Sequence, residues 1–243
     1  MSITVLKFGG KTIADMNKLA TAARRVQDCL KEDKKVVAVV SAMNDETDRL
    51  IELAASIDGC GHKRELDQLL FTGEVKSASL LSMILLNMGI KARSLNFSNI
   101  GIKTDNSHFN AKVKEVDTGL ILSMINEGVV PVVSGYQGLS EEGNVTTLGR
   151  GGSDITAVCI AASLSASECI LFKDVGAVFD DDPKVNRNVH KYNKITYEEL
   201  CKIVDRGCKV ICKDSIFIAR EHNLVLSIAD PDNFKIGTII TKK

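Results

Sequence analysis

Residues 146–154, with the sequence TTLGRGGSD, bring three glycines together within four residues and place an arginine between them. Glycines leave backbone N–H groups open to a ligand, and Arg150 adds a positive charge. The alanine-rich apolar run over residues 155–164 predicts a helix directly after this loop, with Ser153 as its N-cap. Unsatisfied N–H groups and the helix macrodipole favour an anion at that end. The segment therefore predicts a binding loop for a phosphate or a carboxylate.

Other reactive residues also follow apolar runs that read as buried strands. Lys7, Gly9 and Gly10 end the first run, residues 41–47 follow the second, and Lys173-Asp174 follows a later one. The carboxyl ends of parallel strands meet at one edge of a sheet, where ligands bind. Glycines, two or more cations and a carboxylate suit phosphoryl transfer, in which catalysis is positioning plus charge neutralisation.

Two common phosphate-binding motifs are absent from the sequence. Neither G-x₄-G-K-[ST] nor G-x-G-x-x-G occurs. The chain is therefore predicted to be neither a P-loop enzyme nor a dinucleotide-binding Rossmann protein.

Strand and helix patterns alternate along the chain, which predicts an α/β fold, a three-layer αβα sandwich around a mainly parallel sheet. Asp15 is expected to cap the first helix. Helices are predicted over residues 16–30, 46–56, 62–88 with a break near Thr72-Gly73, 117–126, 155–164, 197–206 and 215–221. Strands are predicted over residues 3–8, 35–41, 91–96, 129–133, 145–148, 169–172, 224–228 and 238–241. Residues 135–143, and the segment holding Gly101 and Asp105, are predicted to be loops.

Composition favours an ordinary globular chain. Its 243 residues are 44% hydrophobic, and its 31 basic and 31 acidic residues cancel. No net field favours nucleic acid or an anionic membrane. No apolar run is expected to reach the ~20 residues of a membrane span, and no signal-peptide pattern precedes the first strand, so a cytoplasmic location is predicted.

Seven scattered cysteines are expected to be reduced thiols. Cys201, Cys208 and Cys212 come closest to a cluster. Because no C-x₂-C pair or suitably spaced histidine accompanies them, buried small hydrophobes are favoured over a metal site.

Several short motifs together resemble, in the same order, those of the aspartate kinases of the amino-acid kinase family. They are Lys7-Phe8-Gly9-Gly10, Ser41-Ala42-Met43, Thr72-Gly73-Glu74, residues 101–111 with Thr104-Asp105 and His108, Gly135-Tyr136-Gln137-Gly138, and residues 146–156. The match covers nearly the whole chain, and residues 146–154 are its most specific part. The resemblance implies a single domain over residues 1–243, with a substrate-binding lobe over about 1–145 and a nucleotide-binding lobe over about 146–243.

The resemblance also implies an activity. ATP would donate its γ-phosphoryl group to the side-chain carboxylate of L-aspartate, giving 4-phospho-L-aspartate, the first step of lysine, threonine and methionine biosynthesis. An ionised carboxylate needs no general base. Mg²⁺ would be carried by ATP without direct protein ligands. Two alternatives stay open: a non-catalytic nucleotide or amino-acid binder that serves as a partner or sensor, and a kinase for another acidic small molecule.

Roles in the family carry over to matching positions. The catalytic set is Lys7, Asp154 and Lys209, with the lysines on the phosphoryl group and Asp154 organising the lysines or the metal. Glu74 would hold the ammonium of aspartate and Arg150 its α-carboxylate, and the full substrate-binding set is Thr47, Glu74, Arg150 and Ser153. The nucleotide-binding set is Gly9, Gly10, Ser41, Lys173, Asp174, Phe179, Lys184, Lys209 and Val210.

Seven of these positions also have a purely structural interpretation. Lys7 and Lys209 could be surface lysines, and Arg150 a structural arginine. Helix capping would account for the remaining polar residues, namely Ser41, Thr47, Glu74 and Asp154. His108 is interpreted as a hydrogen-bonded loop histidine rather than a chemical group.

The sequence departs from the family pattern mainly on the nucleotide side. Lys11-Thr12 stands where Thr-Ser is usual, Gly176-Ala177 replaces Asp-Gly, and Lys184 replaces an arginine. Most aspartate kinases continue beyond the equivalent of residue 240 into ACT-type regulatory domains. We therefore expect an unregulated kinase or a catalytic subunit regulated in trans, with a homo-oligomer and a separate regulatory subunit as partners.

Overall fold

The computed structural model describes residues 2–58, 61–181, 183, 185–186, 188–208 and 210–242. Helices and strands alternate through most of this length. The α-helices are α1 (Met16–Lys31), α2 (Glu46–Ala55), α3 (Lys63–Asn87), α4 (Gly119–Asn126), α5 (Gly152–Ser163), α6 (Tyr197–Asp205) and α7 (Lys213–Glu221). The strands are β1 (Ile3–Phe8), β2 (Lys35–Val40), β3 (Ala92–Leu95), β4 (Ile102–Thr104), β5 (Val113–Val116), β6 (Val130–Ser134), β7 (Gln137–Ser140), β8 (Val145–Thr147), β9 (Glu168–Phe172), β10 (Val178–Phe179), β11 (Lys191–Tyr192), β12 (Lys194–Thr196), β13 (Leu226–Ala229) and β14 (Ile236–Thr241).

Eight strands form the central sheet in the order β12-β14-β13-β9-β1-β2-β6-β3. Its pairs are parallel except β13 with β14, which is antiparallel. Because β1 pairs with β2 on one side and β9 on the other, the sheet runs through both predicted lobes. The division at residue 145 stays a prediction.

Successive side chains of β1 point to opposite faces of this sheet, as strand geometry requires. Leu6 and Phe8 pack in a cluster with residues of α1 and α3, whereas Val5 packs in a second cluster with residues of α4, α5, α6 and α7. The two helical layers confirm the predicted αβα sandwich. Lys7 shares the face of Val5, so it points toward the layer that contains α5.

A second sheet, in the order β5-β4-β7-β8, lies over segments that the sequence predicted to be loops. Residues 135–143 contain β7, and the segment after residue 96 contains β4 and β5. These strands are three or four residues long, too short for their alternation to stand out from a loop.

Helix α3 is continuous from Lys63 to Asn87, and the predicted break near Thr72-Gly73 is wrong. Gly73 is needed for close packing rather than for a turn. A Cβ atom built on it would lie 3.0 Å from Ala42 Cβ, in the loop after β2. The glycine therefore lets α3 approach the loop that follows β2.

Helix α3 also corrects the expectation about apolar length. Among the described residues it is the one helix long and apolar enough to cross a membrane by length and composition. Core helices meet the same criterion, and Ala78, Leu81 and Leu85 of α3 pack against the central sheet. We interpret α3 as a core helix.

Gly73→Val tests whether this close approach limits the packing of α3. We expect it to lower the free energy of unfolding by about 1–3 kcal/mol, because its side chain would displace Ala42. Urea denaturation measures the loss. The matched control is Gly61→Val, since a Cβ at Gly61 has no neighbour within 4 Å. Equal stability of both variants would show that the contact can relax without cost.

Candidate functional site

The glycine-rich loop leads directly into α5. The helix begins at Gly152, and its N-cap is Gly151 in a left-handed conformation with φ of 79°. The prediction that Ser153 caps this helix is therefore wrong: Ser153 lies inside the first turn and is buried. A left-handed N-cap suits glycine, which has no Cβ to clash. It turns the chain so that the first turn of α5 faces the end of β1.

Three charged side chains meet at this point. Lys7 Nζ lies 2.8 Å from Asp154 Oδ1, and Lys173 Nζ lies 2.5 Å from Asp154 Oδ2. Lys7 is 5% exposed and Asp154 is 3% exposed, so water screens their attraction poorly. The alternation of β1 places Lys7 on the face of α5, and the loop after β9 brings Lys173.

The two lysine side chains hold the Asp154 carboxylate ionised. Burial by itself would raise the pKa of Asp154, but the Lys7 and Lys173 ammonium groups outweigh it and lower that pKa to about 2. Burial lowers the pKa of Lys7, and the Lys173 charge adds to this effect while Asp154 opposes it. One carboxylate thus holds two cations at the edge of the sheet where an anion can reach them.

Glu74 lies on α3 opposite this cluster. Its Oε1 accepts a hydrogen bond from the Ala42 N–H at 3.1 Å, while its Oε2 is buried and has no hydrogen-bond partner. Burial raises the pKa of Glu74 to about 8, although the Ala42 hydrogen bond and the Lys7 charge both lower it. The raised pKa favours the protonated form of this carboxyl group, which faces the cleft, and an approaching cation favours its ionisation.

An open cleft of about 750 Å³ is lined by all four predicted substrate-binding residues. Its wall includes the catalytic candidates Lys7 and Asp154 as well. From the predicted substrate and nucleotide sets it is lined by Gly10, Ser41, Thr47, Glu74, Arg150, Ser153 and Lys173. Arg150 is exposed and forms no ion pair with the described residues, so its guanidinium is available to a ligand.

A second cavity of about 590 Å³ contains the other part of the nucleotide-binding set, namely Lys173, Asp174, Phe179 and Val210. Lys173 lines both cavities, whereas Lys7 and Asp154, the other members of the cluster, line the larger one. Lys11, where the sequence departs from the family pattern, also lines the second cavity. Its Nζ lies 3.7 Å from Asp174 Oδ2.

The three remaining members of the predicted sets are Gly9, Lys184 and Lys209. Gly9 lines neither cavity, and a Cβ built on it would lie 3.5 Å from Lys7 Nζ, so it passes beside the lysine. Lys184 and Lys209 lie outside the described residues. In the altered loop at Gly176-Ala177, the left-handed conformation falls on the glycine. Gly176 has φ of 67°, whereas φ of Ala177 is not positive.

The geometry decides several of the structural alternatives. Lys7 is buried rather than on the surface. Glu74 lies in the middle of α3, so it is not a cap. Asp45 is the N-cap of α2 and Thr47 lies within that helix, so neither Ser41 nor Thr47 caps it. Asp154 lies in the first turn of α5 but contacts the two lysines.

Sequence reasoning missed part of the cleft wall. Asp48, Ile51, Phe109, Asn110 and Tyr136 also line it. Phe109 and Tyr136 have positive φ values, of 70° and 72°. Positive φ is rare for aromatic residues, and it cannot be read from the sequence because tertiary contacts impose it. Tyr136 belongs to one of the family motifs, and that motif was the sequence signal that could have identified it as a residue of the cleft.

Known proteins of similar sequence identify the family of this chain. The model of the family described as "Amino acid kinase family" matches residues 2–230. The chain belongs to the amino acid kinase family. An aspartokinase of Mycobacterium tuberculosis is 39% identical over 241 residues, which are 99% of this chain and 57% of that protein. An aspartokinase of Geobacillus stearothermophilus is 38% identical over 243 residues, 100% of this chain and 60% of that protein.

Solved structures of the amino acid kinase family have the same fold. The aspartate kinase of Synechocystis superposes with a TM-score of 0.90 at 31% identity, covering 100% of this chain and 40% of that one. The chain thus spans less than two thirds of the length of these curated and solved relatives.

Glu74→Gln tests the buried carboxyl group through the dependence of stability on pH. The unfolded carboxyl loses its proton near its ordinary pKa of 4.5, whereas the folded one keeps it up to about pH 8. The native state thus binds more protons between these values, and stability falls as pH rises through this window. From pH 5 to pH 8 we expect the wild type to lose on the order of a few kcal/mol more than Glu74→Gln.

Chemical denaturation of both proteins without ligand at pH 5, 6.5 and 8 measures this difference. Other titrating groups are common to the two proteins and cancel. Parallel curves would show that Glu74 is already ionised at pH 5.

Proposed function

We propose that this chain carries an aspartate kinase site, which transfers the γ-phosphoryl group of ATP to the side-chain carboxylate of L-aspartate. One observation carries the proposal: the buried Lys7–Asp154–Lys173 cluster lines the larger cavity, and its Lys173 lines the smaller one as well. Two cations in such a position can stabilise charge on a group that passes from one ligand to the other. The names of the similar aspartokinases, whose matches span 99% and 100% of this chain, give further support.

The larger cleft suits the zwitterion of aspartate. Arg150 is exposed to the cleft and offers a planar donor set to the α-carboxylate. Glu74 presents a buried carboxyl oxygen without a partner to the ammonium group. An approaching ammonium favours the ionised form of Glu74, because an opposite charge lowers the pKa of a carboxyl group. In this arrangement the substrate side chain extends toward Lys7, with Thr47 and Ser153 beside it.

The smaller cavity would hold the nucleotide. Lys173 would contact the phosphates, and Phe179 and Val210 provide apolar surface. In this proposal Gly9, Gly10 and Ser41 also contact the phosphates, and Lys184 and Lys209 complete the proposed set. Mg²⁺ would neutralise the phosphate oxygens of ATP when bound with it. Asp154 is already held by two ammonium groups, so we assign it to the lysines rather than to the metal.

The proposed step needs no proton transfer. An oxygen of the aspartate side-chain carboxylate forms a bond to the γ-phosphorus, the bond from that phosphorus to the β,γ-bridging oxygen breaks, and ADP leaves. Lys7 and Lys173 offset the charge that spreads over the transferring oxygens. Asp154 keeps both ammonium groups in place, so that little reorganisation accompanies the reaction. A homo-oligomer and a separate regulatory subunit stay predictions.

Trapping of the acyl phosphate by hydroxylamine tests the reaction directly. The purified chain with ATP and Mg²⁺ should form aspartyl hydroxamate with aspartate, and little product with glutamate or N-acetylaspartate, which lacks the ammonium group. No product from aspartate with a folded protein would favour the non-catalytic binder. Preferred turnover of another acid would favour the second alternative.

Lys7→Met tests the catalytic cation while keeping most of the buried volume. We expect kcat to fall by about 10²–10³-fold, because a preorganised charge on the transferring group is lost. Lys103→Met is the control, because Lys103 is exposed on the second sheet, where it pairs with Glu115. Thermal unfolding must show that both variants fold. Near-normal turnover of folded Lys7→Met would remove Lys7 from the mechanism.

A further inference from the structure

Asp67 is a completely buried carboxylate that the proposed reaction does not use. It lies on α3, two turns before Glu74, and is 0% exposed. Its Oδ1 accepts the Thr147 hydroxyl at 2.5 Å and the Phe109 N–H at 3.1 Å. Its Oδ2 lies 2.6 Å from His108 Nδ1. A buried carboxylate with this many partners fixes the relative positions of the elements that supply them.

These partners come from two segments next to the cleft. Thr147 ends β8, just before the glycine-rich loop, and His108 and Phe109 belong to the segment over residues 105–111. The carboxylate already accepts a hydroxyl and an amide hydrogen, so we assign the His108 Nδ1 contact as a donation from the ring to Asp67. Charge-assisted hydrogen bonds of this kind are about twice as strong as neutral ones.

The segment over residues 105–111 also contacts the glycine-rich loop and the end of β8. The Ala111 N–H donates to the Thr147 carbonyl oxygen at 2.9 Å. Asn110 Oδ1 lies 2.7 Å from the position that a Cβ on Gly149 would occupy. Phe109 and Asn110 then line the substrate cleft beside Arg150. Asp67 thus connects helix α3 to the wall of the cleft and to the loop that carries Arg150.

We propose that Asp67, through His108 and Thr147, is a positioning residue for the substrate half of the site. It holds Phe109, with its positive φ, and Asn110 against the glycine-rich loop, so that the cleft is formed before aspartate enters. This inference rests on the proposed function. When the His108–Asp67 contact is lost, Phe109 and Asn110 are no longer held in place, so the protein must order them when aspartate binds. This cost weakens aspartate binding and leaves the nucleotide cavity unchanged.

His108→Ala and His108→Asn form the decisive pair. Alanine removes the donor, whereas the asparagine Nδ2 can take the place of the ring Nδ1. We expect KM for aspartate to rise about tenfold in His108→Ala, KM for ATP to stay within about twofold, and His108→Asn to restore the aspartate KM. An unchanged aspartate KM in folded His108→Ala, equal changes in both KM values, or no rescue by asparagine would overturn the proposal.

Two further variants guard against a simple loss of stability. Tyr197→Phe removes another buried hydrogen bond, from the Tyr197 hydroxyl to the Leu224 carbonyl oxygen, far along the chain from the cleft. It should lower the melting temperature without changing either KM. If His108→Ala does not fold, Thr147→Val, which removes the hydroxyl donor and keeps the shape, carries the same kinetic expectation and the same contrary outcomes.

Hydrogen exchange separates this proposal from the proposed function. The Phe109 and Ala111 amides should exchange at least about tenfold faster in His108→Ala than in the wild type, because their hydrogen bonds open more often. Equal exchange rates would overturn the positioning role. If the wild type forms no aspartyl hydroxamate, the aspartate kinase proposal fails, and the exchange rates still decide whether Asp67 holds the wall.

Discussion

The attraction of two lysines to one buried carboxylate is the interaction on which the site depends. Asp154 can stay ionised in the interior only because Lys7 and Lys173 lie within 2.8 Å and 2.5 Å of it. The two lysines in turn need Asp154, since two ammonium groups that close would otherwise repel each other. The two ammonium groups and one carboxylate leave the cluster with one net positive charge, which favours an anionic ligand beside it.

Three separate parts of the chain supply the side chains of this cluster. Strand β1 supplies Lys7, the first turn of α5 supplies Asp154, and the loop after β9 supplies Lys173. Parallel pairing of β1 with β9 brings two of them to the same edge of the sheet. The left-handed Gly151 turns the chain into α5, so that the third arrives there as well.

Helix α3 governs the opposite wall of the cleft. It presents Asp67, Gly73 and Glu74 along one side, and each has a different physical task. Gly73 allows the helix to touch the loop after β2, which brings Glu74 to the Ala42 N–H. Asp67 ties the segment around Phe109 to the same helix. A helix that also packs on the sheet through leucines makes a rigid support for these contacts.

Residue types and periodicity were sufficient for much of this architecture. Buried apolar runs such as β1 and β2, and the long periodic pattern of α1 with Asp15 as its cap, are local properties that neighbouring residues determine. The sequence around Gly149 likewise indicated an anion site, because glycine spacing and charge are visible without a fold. The family motifs then predicted which of these residues share a site.

Tertiary structure alone decided the rest, because it depends on contacts between residues far apart in the chain. Gly73 looked like a helix break, since the reason for a glycine there lies in Ala42, 31 positions earlier. The raised pKa of Glu74 follows from burial, which no residue type reveals. Asp67 gave no signal in the sequence, yet it accepts hydrogen bonds from partners 41 and 80 positions away. The sequence by itself determined most strands of the central sheet, most of the helices and the anion-binding loop, and only the fold decided which side chains lose water and meet.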